Sequence, residues 1–193
     1  HEVGEYFFNR FAGVNPANGD ALWYTKEGEI TTEYREEDKV MTGKSFNAPW
    51  MGGFGTTLAW KGLSLSAQFS WMADRWVFNN DRYFEENNGN YSGYNQSKRL
   101  LYDRWKQPGD VTDIPRYGVV AQQDDRFLEN SSFMRLKNLT LSYSFPKALL
   151  QKTRFLSAVR IYLQGQNLLT FTDFTGLDPE YAGNVYLGQY PAT

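Results

Sequence analysis

The sequence predicts an all-β fold: an antiparallel segment of a transmembrane β-barrel, with short turns at one side of the membrane and long loops at the other. Three observations predict it. Apolar and polar residues alternate over stretches of about ten residues, the length a tilted strand needs to cross a bilayer. Aromatic residues make up 17 % of the 193-residue chain, yet mean hydropathy is −0.60. Large rings are therefore spread among polar residues, as strands with one lipid face and one lumen face require. The links between the alternating stretches switch between short and long.

Taken in chain order, a first and less regular strand is expected around Tyr6 to Phe11. The next runs from Trp50 to Trp60, with Phe54, Leu58 and Trp60 on one face and Gly53, Gly55, Thr57 and Ala59 on the other. From Leu63 to Met72 the period of two is cleanest: Leu63, Leu65, Ala67, Phe69 and Trp71 against Ser64, Ser66, Gln68 and Ser70. A helix would mix these two classes on one stripe. The two residues between these strands, Lys61-Gly62, read as a tight hairpin turn. A further strand from about Met134 to Phe145 alternates Leu139, Leu141 and Tyr143 with Asn138, Thr140, Ser142 and Ser144. Pro146 ends it, because proline donates no ladder hydrogen bond. A link from Lys147 to Ser157 follows, with one helical turn around Ala148-Leu149-Leu150. The last strand runs from about Ala158 to Leu168, with Val159, Ile161 and Leu163 opposite Arg160, Tyr162, Gln164 and Gln166.

The links at Lys61-Gly62 and after Pro146 are short; those from about Ala12 to Pro49 and from about Ala73 to Phe133 are long. Long loops without structure are uncommon in a soluble domain but normal on the outer side of a membrane barrel. The short links are therefore expected to be periplasmic and the long ones extracellular. Trp60 and Phe145 then sit near one interface and Trp50, Trp71 and Trp76 near the other, as an aromatic girdle requires. Leu63, Leu65, Phe69, Trp71, Leu139, Leu141, Val159, Ile161 and Leu163 are expected to face lipid; Ser64, Ser66, Gln68, Ser70, Thr140, Ser142, Arg160 and Gln164 the lumen.

Composition narrows the chemistry. The chain has no cysteine and a single histidine, His1. Thiol catalysis, Cys-based metal sites and a histidine-based triad are excluded. A formal charge of −2 argues against a general nucleic-acid binder. No apolar run approaches the 18 or so residues of a membrane-spanning helix. The acidic groups Glu85-Glu86 and Glu36-Glu37-Asp38 are adjacent acids in loops, and read as solvated surface, not as a catalytic pair across a sugar. Asn79-Asn80-Asp81 and Asn87-Asn88-Gly89-Asn90 read as turn chemistry; they lack the spacing of a calcium loop. No enzyme activity, cofactor or metal is expected. The candidates for binding are rings of the second long loop: Tyr83, Phe84, Tyr91, Tyr94 and Trp105. They either stack on a sugar or partner protein, or pack on one another over the barrel mouth.

Several blocks also resemble one family. Ser131-Ser132-Phe133-Met134-Arg135-Leu136-Lys137-Asn138-Leu139-Thr140-Leu141-Ser142-Tyr143 with Phe145-Pro146, then Arg160-Ile161-Tyr162-Leu163-Gln164-Gly165-Gln166-Asn167-Leu168-Leu169-Thr170, then Thr175-Gly176-Leu177-Asp178-Pro179-Glu180 resemble hallmark blocks of SusC-like (SusC/RagA-type) TonB-dependent transporters. Asn15-Pro16-Ala17-Asn18-Gly19-Asp20, Gly52-Gly53-Phe54-Gly55-Thr56-Thr57-Leu58, Asp103-Arg104-Trp105 and Asp113-Ile114-Pro115-Arg116 occur in the order of that family. The resemblance implies that residues 1–193 are a C-terminal part of the barrel domain, without plug, TonB box, most strands or the final strand that would follow Tyr190-Pro191. It implies an outer-membrane nutrient importer of a Gram-negative, Bacteroidetes-like cell. Such an importer takes up oligosaccharides or peptides, is driven through TonB, and works with a SusD-like surface lipoprotein. The alternative is a soluble β-sandwich that binds glycans through its loop rings.

Overall fold

Two-residue alternation with a hairpin turn produces a ladder, and the ladder is present. A computed structural model describes residues 4–91, 93, 95–150 and 155–180. The described residues divide into a sheet unit (within 48–74 and 132–173) and a loop unit (within 4–47, 75–131 and 174–180).

The loop unit contains β1 (Glu5–Phe8), β2 (Arg10–Val14), β3 (Ala21–Tyr24), β4 (Ile30–Thr31) and β5 (Val40–Ser45). The sheet unit begins with β6 (Trp50–Trp60) and β7 (Leu63–Ala73). Back in the loop unit come β8 (Trp76–Phe78), α1 (Asn80–Glu85), α2 (Arg99–Tyr102) and β9 (Leu128–Asn130). The sheet unit ends with β10 (Phe133–Ser144), a helical turn α3 (Lys147–Leu150) and β11 (Arg160–Thr172).

In the sheet unit the order is β11-β10-β7-β6, all antiparallel. Trp60 pairs with Leu63, so Lys61 and Gly62 form the whole turn. Their φ angles are +45° and +89°, both left-handed, as a hairpin turn matched to strand twist needs. A side chain at Gly62 would put its Cβ 2.6 Å from the Ser144 carbonyl oxygen. Register then sorts the residues into rows. Leu58, Leu65, Leu141 and Leu163 form one row, and Trp60, Leu63, Tyr143 and Ile161 the next. On the opposite face, Thr57, Ser66, Thr140 and Gln164 form a polar row, in which Thr57 Oγ1 donates to Ser66 Oγ at 3.1 Å, while Gln164 Nε2 donates to Asn138 Oδ1 at 3.0 Å. The apolar rows are open: Leu58 is 65 % exposed, Leu163 74 % and Trp60 69 %.

One irregularity is shared by three strands. Between corresponding rows, β7 passes directly from Gln68 to Phe69, β10 inserts Lys137, and β11 inserts Asn167 and Leu168. Asn167 takes the left-handed conformation, φ +50°. The insertion at Lys137 is a β-bulge, and it explains a phase slip in the sequence. Met134 and Leu136 precede it and Leu139 and Leu141 follow it, yet all four lie on the apolar face.

The expected strands at Trp50–Trp60 and Leu63–Met72 agree with β6 and β7 almost to the residue, and the helical turn agrees with α3. The last strand is longer than expected, running on to Thr172 because Leu169 and Phe171 keep the alternation beyond the bulge. The strand expected at Tyr6 to Phe11 is two strands. β1 pairs with β5, and β2 pairs with β3, which pairs with β4. Asn9 separates them: it bridges to Asp124, and its amide Nδ2 donates to the Arg35 carbonyl at 2.7 Å.

The long links are not bare loops. Their short strands and one-turn helices close around Val77, Phe127, Ile114, Trp23 and Ala21, all buried. The end of the chain around Tyr190-Pro191 lies outside the described residues.

Candidate functional site

The candidate rings sit on and around α1. Asn79 caps this helix: its side chain accepts from the Arg82 amide at 3.0 Å. The helix turns Tyr83 and Phe84 toward other rings. Tyr83 meets Phe78, Phe127 and Phe84 with centroids 5.7, 5.4 and 5.3 Å apart, mostly edge to face. Phe84 continues to Tyr91 at 5.2 Å. The chain of rings extends the other way through Phe78 to Phe8 and Tyr6. Tyr83, Phe84 and Tyr91 are therefore half-buried members of one internal stack. Burial, with the Tyr91 and Asp124 side chains nearby, raises the Tyr83 phenol above its ordinary pKa.

Trp105 stands apart from that stack. Its Nε1–H donates to the Pro16 carbonyl at 3.1 Å, and its ring lies over Gly19, where an added Cβ would come within 2.4 Å. Gly19 also has φ +78°, a second reason for glycine. Tyr94 lies outside the described residues.

The feature that sequence reasoning missed is a lattice of arginines and carboxylates beside α1. Arg82 reaches Glu86 at 3.1 Å, Asp113 at 3.1 Å and Glu129 at 3.2 Å. Arg99 reaches Glu86 at 2.7 Å, Asp113 at 2.6 Å and Asp103 at 3.4 Å. Glu129 also accepts from Asn79 Nδ2 at 3.2 Å and from the Thr175 amide at 3.0 Å. Two guanidiniums thus hold four carboxylates, using the fork geometry that lets arginine bind several oxygens at once. Burial alone would raise Asp113, but the adjoining Arg99 and Arg82 guanidiniums outweigh it and hold the carboxyl below its usual range. Arg99 is opposed by burial, yet Asp113 and Glu86 keep its pKa above the ordinary value. The expectation that Glu85-Glu86 is solvated surface is corrected for Glu86, which is 5 % exposed and doubly ion-paired. Asp38 is likewise buried, accepting from the Lys26 amide, while Glu36 and Glu37 are exposed. The only local clues were the i,i+4 spacings Arg82–Glu86 and Arg99–Asp103.

The asparagine runs act as turn chemistry. Asn87 Oδ1 accepts from the Gly89 and Tyr91 amides, and Asn88 and Gly89 are left-handed at φ +59° and +115°. Among the described residues, no three acidic or histidine side chains converge as metal ligands would.

Beside the lattice lies a polar cleft of about 720 Å³, lined by Asn79, Asp81, Arg82, Glu85, Arg99 and Thr175 among others. Burial, with Asp81 and Glu86 close by, raises the Glu85 carboxyl above its ordinary pKa. The cleft can accept hydrogen bonds and cationic groups.

No family model matches the chain. Individual proteins do. It is 42 % identical over 90 residues to TonB-dependent receptor P3 of Formosa agariphila, covering 46 % of this chain and 9 % of that protein. It is 31 % identical over 171 residues to TonB-dependent receptor P26 of the same organism, covering 84 % of this chain and 16 % of the other. The TonB-dependent receptor SusC of Bacteroides thetaiotaomicron is 39 % identical over 79 residues, 38 % of this chain and 8 % of SusC. Among solved structures, the RagAB peptide importer in its open-open state superposes with a TM-score of 0.88 and 39 % identity over 97 % of this chain and 21 % of that one. The chain thus spans about a fifth or less of the proteins it matches. Its sequence blocks, its antiparallel sheet and these likenesses make the chain a partial segment of a SusC-like TonB-dependent receptor.

Proposed function

We propose that the chain is the C-terminal part of the barrel domain of an outer-membrane importer, with its sheet unit in the barrel wall and its loop unit outside the cell. The observation that carries this reading is the two-faced sheet. Its apolar rows are open, its other face is lined by polar residues such as Thr57 and Ser66, and 97 % of the chain superposes on the RagAB importer. A sheet whose backbone groups are paired within it, and whose outer face is apolar, suits hydrocarbon. The edges of β6 and β11 would pair with further strands of the same barrel, because open edges do not persist in lipid. The chain would then act without making or breaking a covalent bond.

In this reading the complete protein works with a SusD-like lipoprotein and is driven through TonB. The imported substrate is a peptide or an oligosaccharide, and the likeness to a peptide importer favours the peptide. The loop unit, with Tyr83, Phe84, Tyr91, Tyr94 and Trp105, would support the outer rim where the lipoprotein docks; loops on a rigid scaffold are the usual carriers of binding. Four of these rings would act by holding the rim's shape: three stacked internally and Trp105 packed on its turn. The soluble sandwich is not favoured, since it needs a second sheet over residues such as Leu58 and Leu163, which are open.

The test uses the full-length protein in its own outer membrane. Shortening the segment between Asn87 and Lys98 should reduce co-purification of the lipoprotein while heat-resistant barrel insertion is kept. Unchanged co-purification would overturn the docking assignment. Uptake of a labelled oligopeptide, against a labelled oligosaccharide, decides the substrate class.

A further inference from the structure

Charge is divided very unevenly between the two units. Among the described residues, the sheet unit carries five basic side chains and two acidic ones; the loop unit carries thirteen and nineteen. Both acids of the sheet unit, Asp74 and Asp173, directly follow the strand ends at Ala73 and Thr172, remote from the Lys61-Gly62 turn. No acidic residue occurs from Asn130 to Thr172.

The opposite end of the sheet is basic. Trp60 and Leu63 flank the Lys61-Gly62 turn, the Ser144 amide donates to the Gly62 carbonyl at 2.8 Å, and Ser144 pairs with Arg160. The turn, the end of β10 and the start of β11 are therefore side by side, and α3 begins at Lys147, three residues after Ser144. Lys61, Lys147 and Arg160 all belong to this end and are exposed. Among the described residues none of them meets a carboxylate. Lys61 Nζ lies 4.9 Å from the centroid of the Trp60 ring, whereas Arg160 is on the polar face, where its Nη2 donates 2.7 Å to the Ser142 hydroxyl. The neighbouring rings, Trp60 and Tyr143, stand on the apolar face, with Tyr143 against Phe145 at 5.0 Å. Amphipathic rings with cations at one end of an apolar surface fit the headgroup layer of a membrane.

We propose that this end of the sheet binds the phosphates of anionic phospholipid, with Lys61 and Lys147 as the cations and Trp60 as the ring that fixes their depth. The proposal rests on the membrane reading above and adds to it a lipid selectivity. The occupant is argued from charge and continuity: unpaired cations adjoin an apolar face that already requires lipid, and basic clusters next to a membrane surface attract anionic headgroups.

The experiment reconstitutes the full-length protein into two kinds of vesicle. One is phosphatidylethanolamine with phosphatidylcholine; the other has a quarter of the lipid replaced by phosphatidylglycerol. After mild detergent extraction, mass spectrometry measures which lipid stays bound. The expected result is phosphatidylglycerol enrichment over its share in the vesicle, lost by at least about tenfold in the Lys61→Gln, Lys147→Gln variant, since each cation near a surface contributes about fivefold. Lys106→Gln, in the loop unit, should leave the enrichment intact. Equal retention of both lipids, or enrichment unchanged in the double variant, would overturn the proposal while insertion in both vesicles upheld the membrane reading. Failure to insert in either would overturn both.

Discussion

The two units meet the same demand in different ways. Every buried N–H, carbonyl and charge needs a partner. In the sheet unit the backbone supplies the partners itself: the interior strands β7 and β10 are paired on both sides, and their side chains contribute single contacts such as Arg160 to Ser142. In the loop unit the strands are two to six residues long, and side chains take over. Asp124, fully buried, accepts from Trp23 Nε1 at 2.9 Å and from the Arg126 amide at 3.2 Å. Arg126 in turn lies over Phe11 and Phe127, 4.4 and 4.6 Å from their centroids. The comparison teaches that one unit is built to present an apolar face, and the other to hold irregular backbone in water by a network of ions.

The largest expected effect tests that network. Removing Arg82 leaves Glu86, Asp113 and Glu129 short of a guanidinium, and stripping one partner from a largely buried pair costs about 3–5 kcal/mol. Arg82→Met should therefore raise hydrogen exchange throughout the loop unit of the full-length protein. Arg160→Met, which removes one hydroxyl contact, should cost about 1 kcal/mol or less. Similar small effects from both would end the distinction between the units.

The next effect belongs to the sheet alone. Leu141 and Thr140 are neighbours on opposite faces. Under the membrane reading, Leu141→Arg should cost about 2–4 kcal/mol in a folding titration into vesicles, and Thr140→Arg much less. Equal tolerance at the two positions would break the assignment of faces.

How much of this was legible in the sequence follows the same division. β6 and β7 could be read almost to the residue, because a period of two is a local signal and Lys61-Gly62 names its own turn. Even the bulge at Lys137 left a trace, in the shift from Met134 and Leu136 to Leu139 and Leu141. The loop unit was not legible, because its contacts are distant in sequence. Arg82 finds Glu129 47 residues on, and Trp23 finds Asp124 after 101. A run such as Glu85-Glu86 looks the same whether solvated or buried, and only the fold tells that Glu86 lies between two arginines. The rings near α1 were found by composition, but that they stack on one another required the turn at Asn87-Asn88-Gly89.

A smaller effect sharpens the account of the loop unit's turns. Gly19 combines φ +78° with the Trp105 ring at 2.4 Å from an added Cβ. Gly28, also left-handed at φ +94°, has open space around it. Gly28→Ala should cost about 1–2 kcal/mol for the backbone alone, and Gly19→Ala more, with a change in Trp105 fluorescence. Equal costs would mean that the ring yields freely and fixes nothing.

The last and smallest effect is an acid sensitivity confined to one unit. Asp113 is held below its ordinary value, about 3.9, by Arg99 and Arg82. A carboxylate depressed in the folded state contributes stability that is present above the unfolded value and is lost as pH falls through the folded one. The loop unit should therefore loosen as pH falls below about 4, read as faster proteolysis of the segment around α2 in the full-length protein. Glu85 has the opposite sign. Its folded value is raised by burial, Asp81 and Glu86, so protonation relieves it and offsets part of the loss. Asp124, which burial also raises, shares the sign of Glu85, so the Asp113 contribution is read locally at α2 and by its loss in the variant below. The four strands of the sheet contain no carboxylate, so their protection should be flat over the same range. Asp113→Asn should weaken the loop unit at neutral pH and flatten its acid response. If the response were unchanged in that variant, the sensitivity would belong to another carboxylate and the weight placed on Asp113 would be wrong.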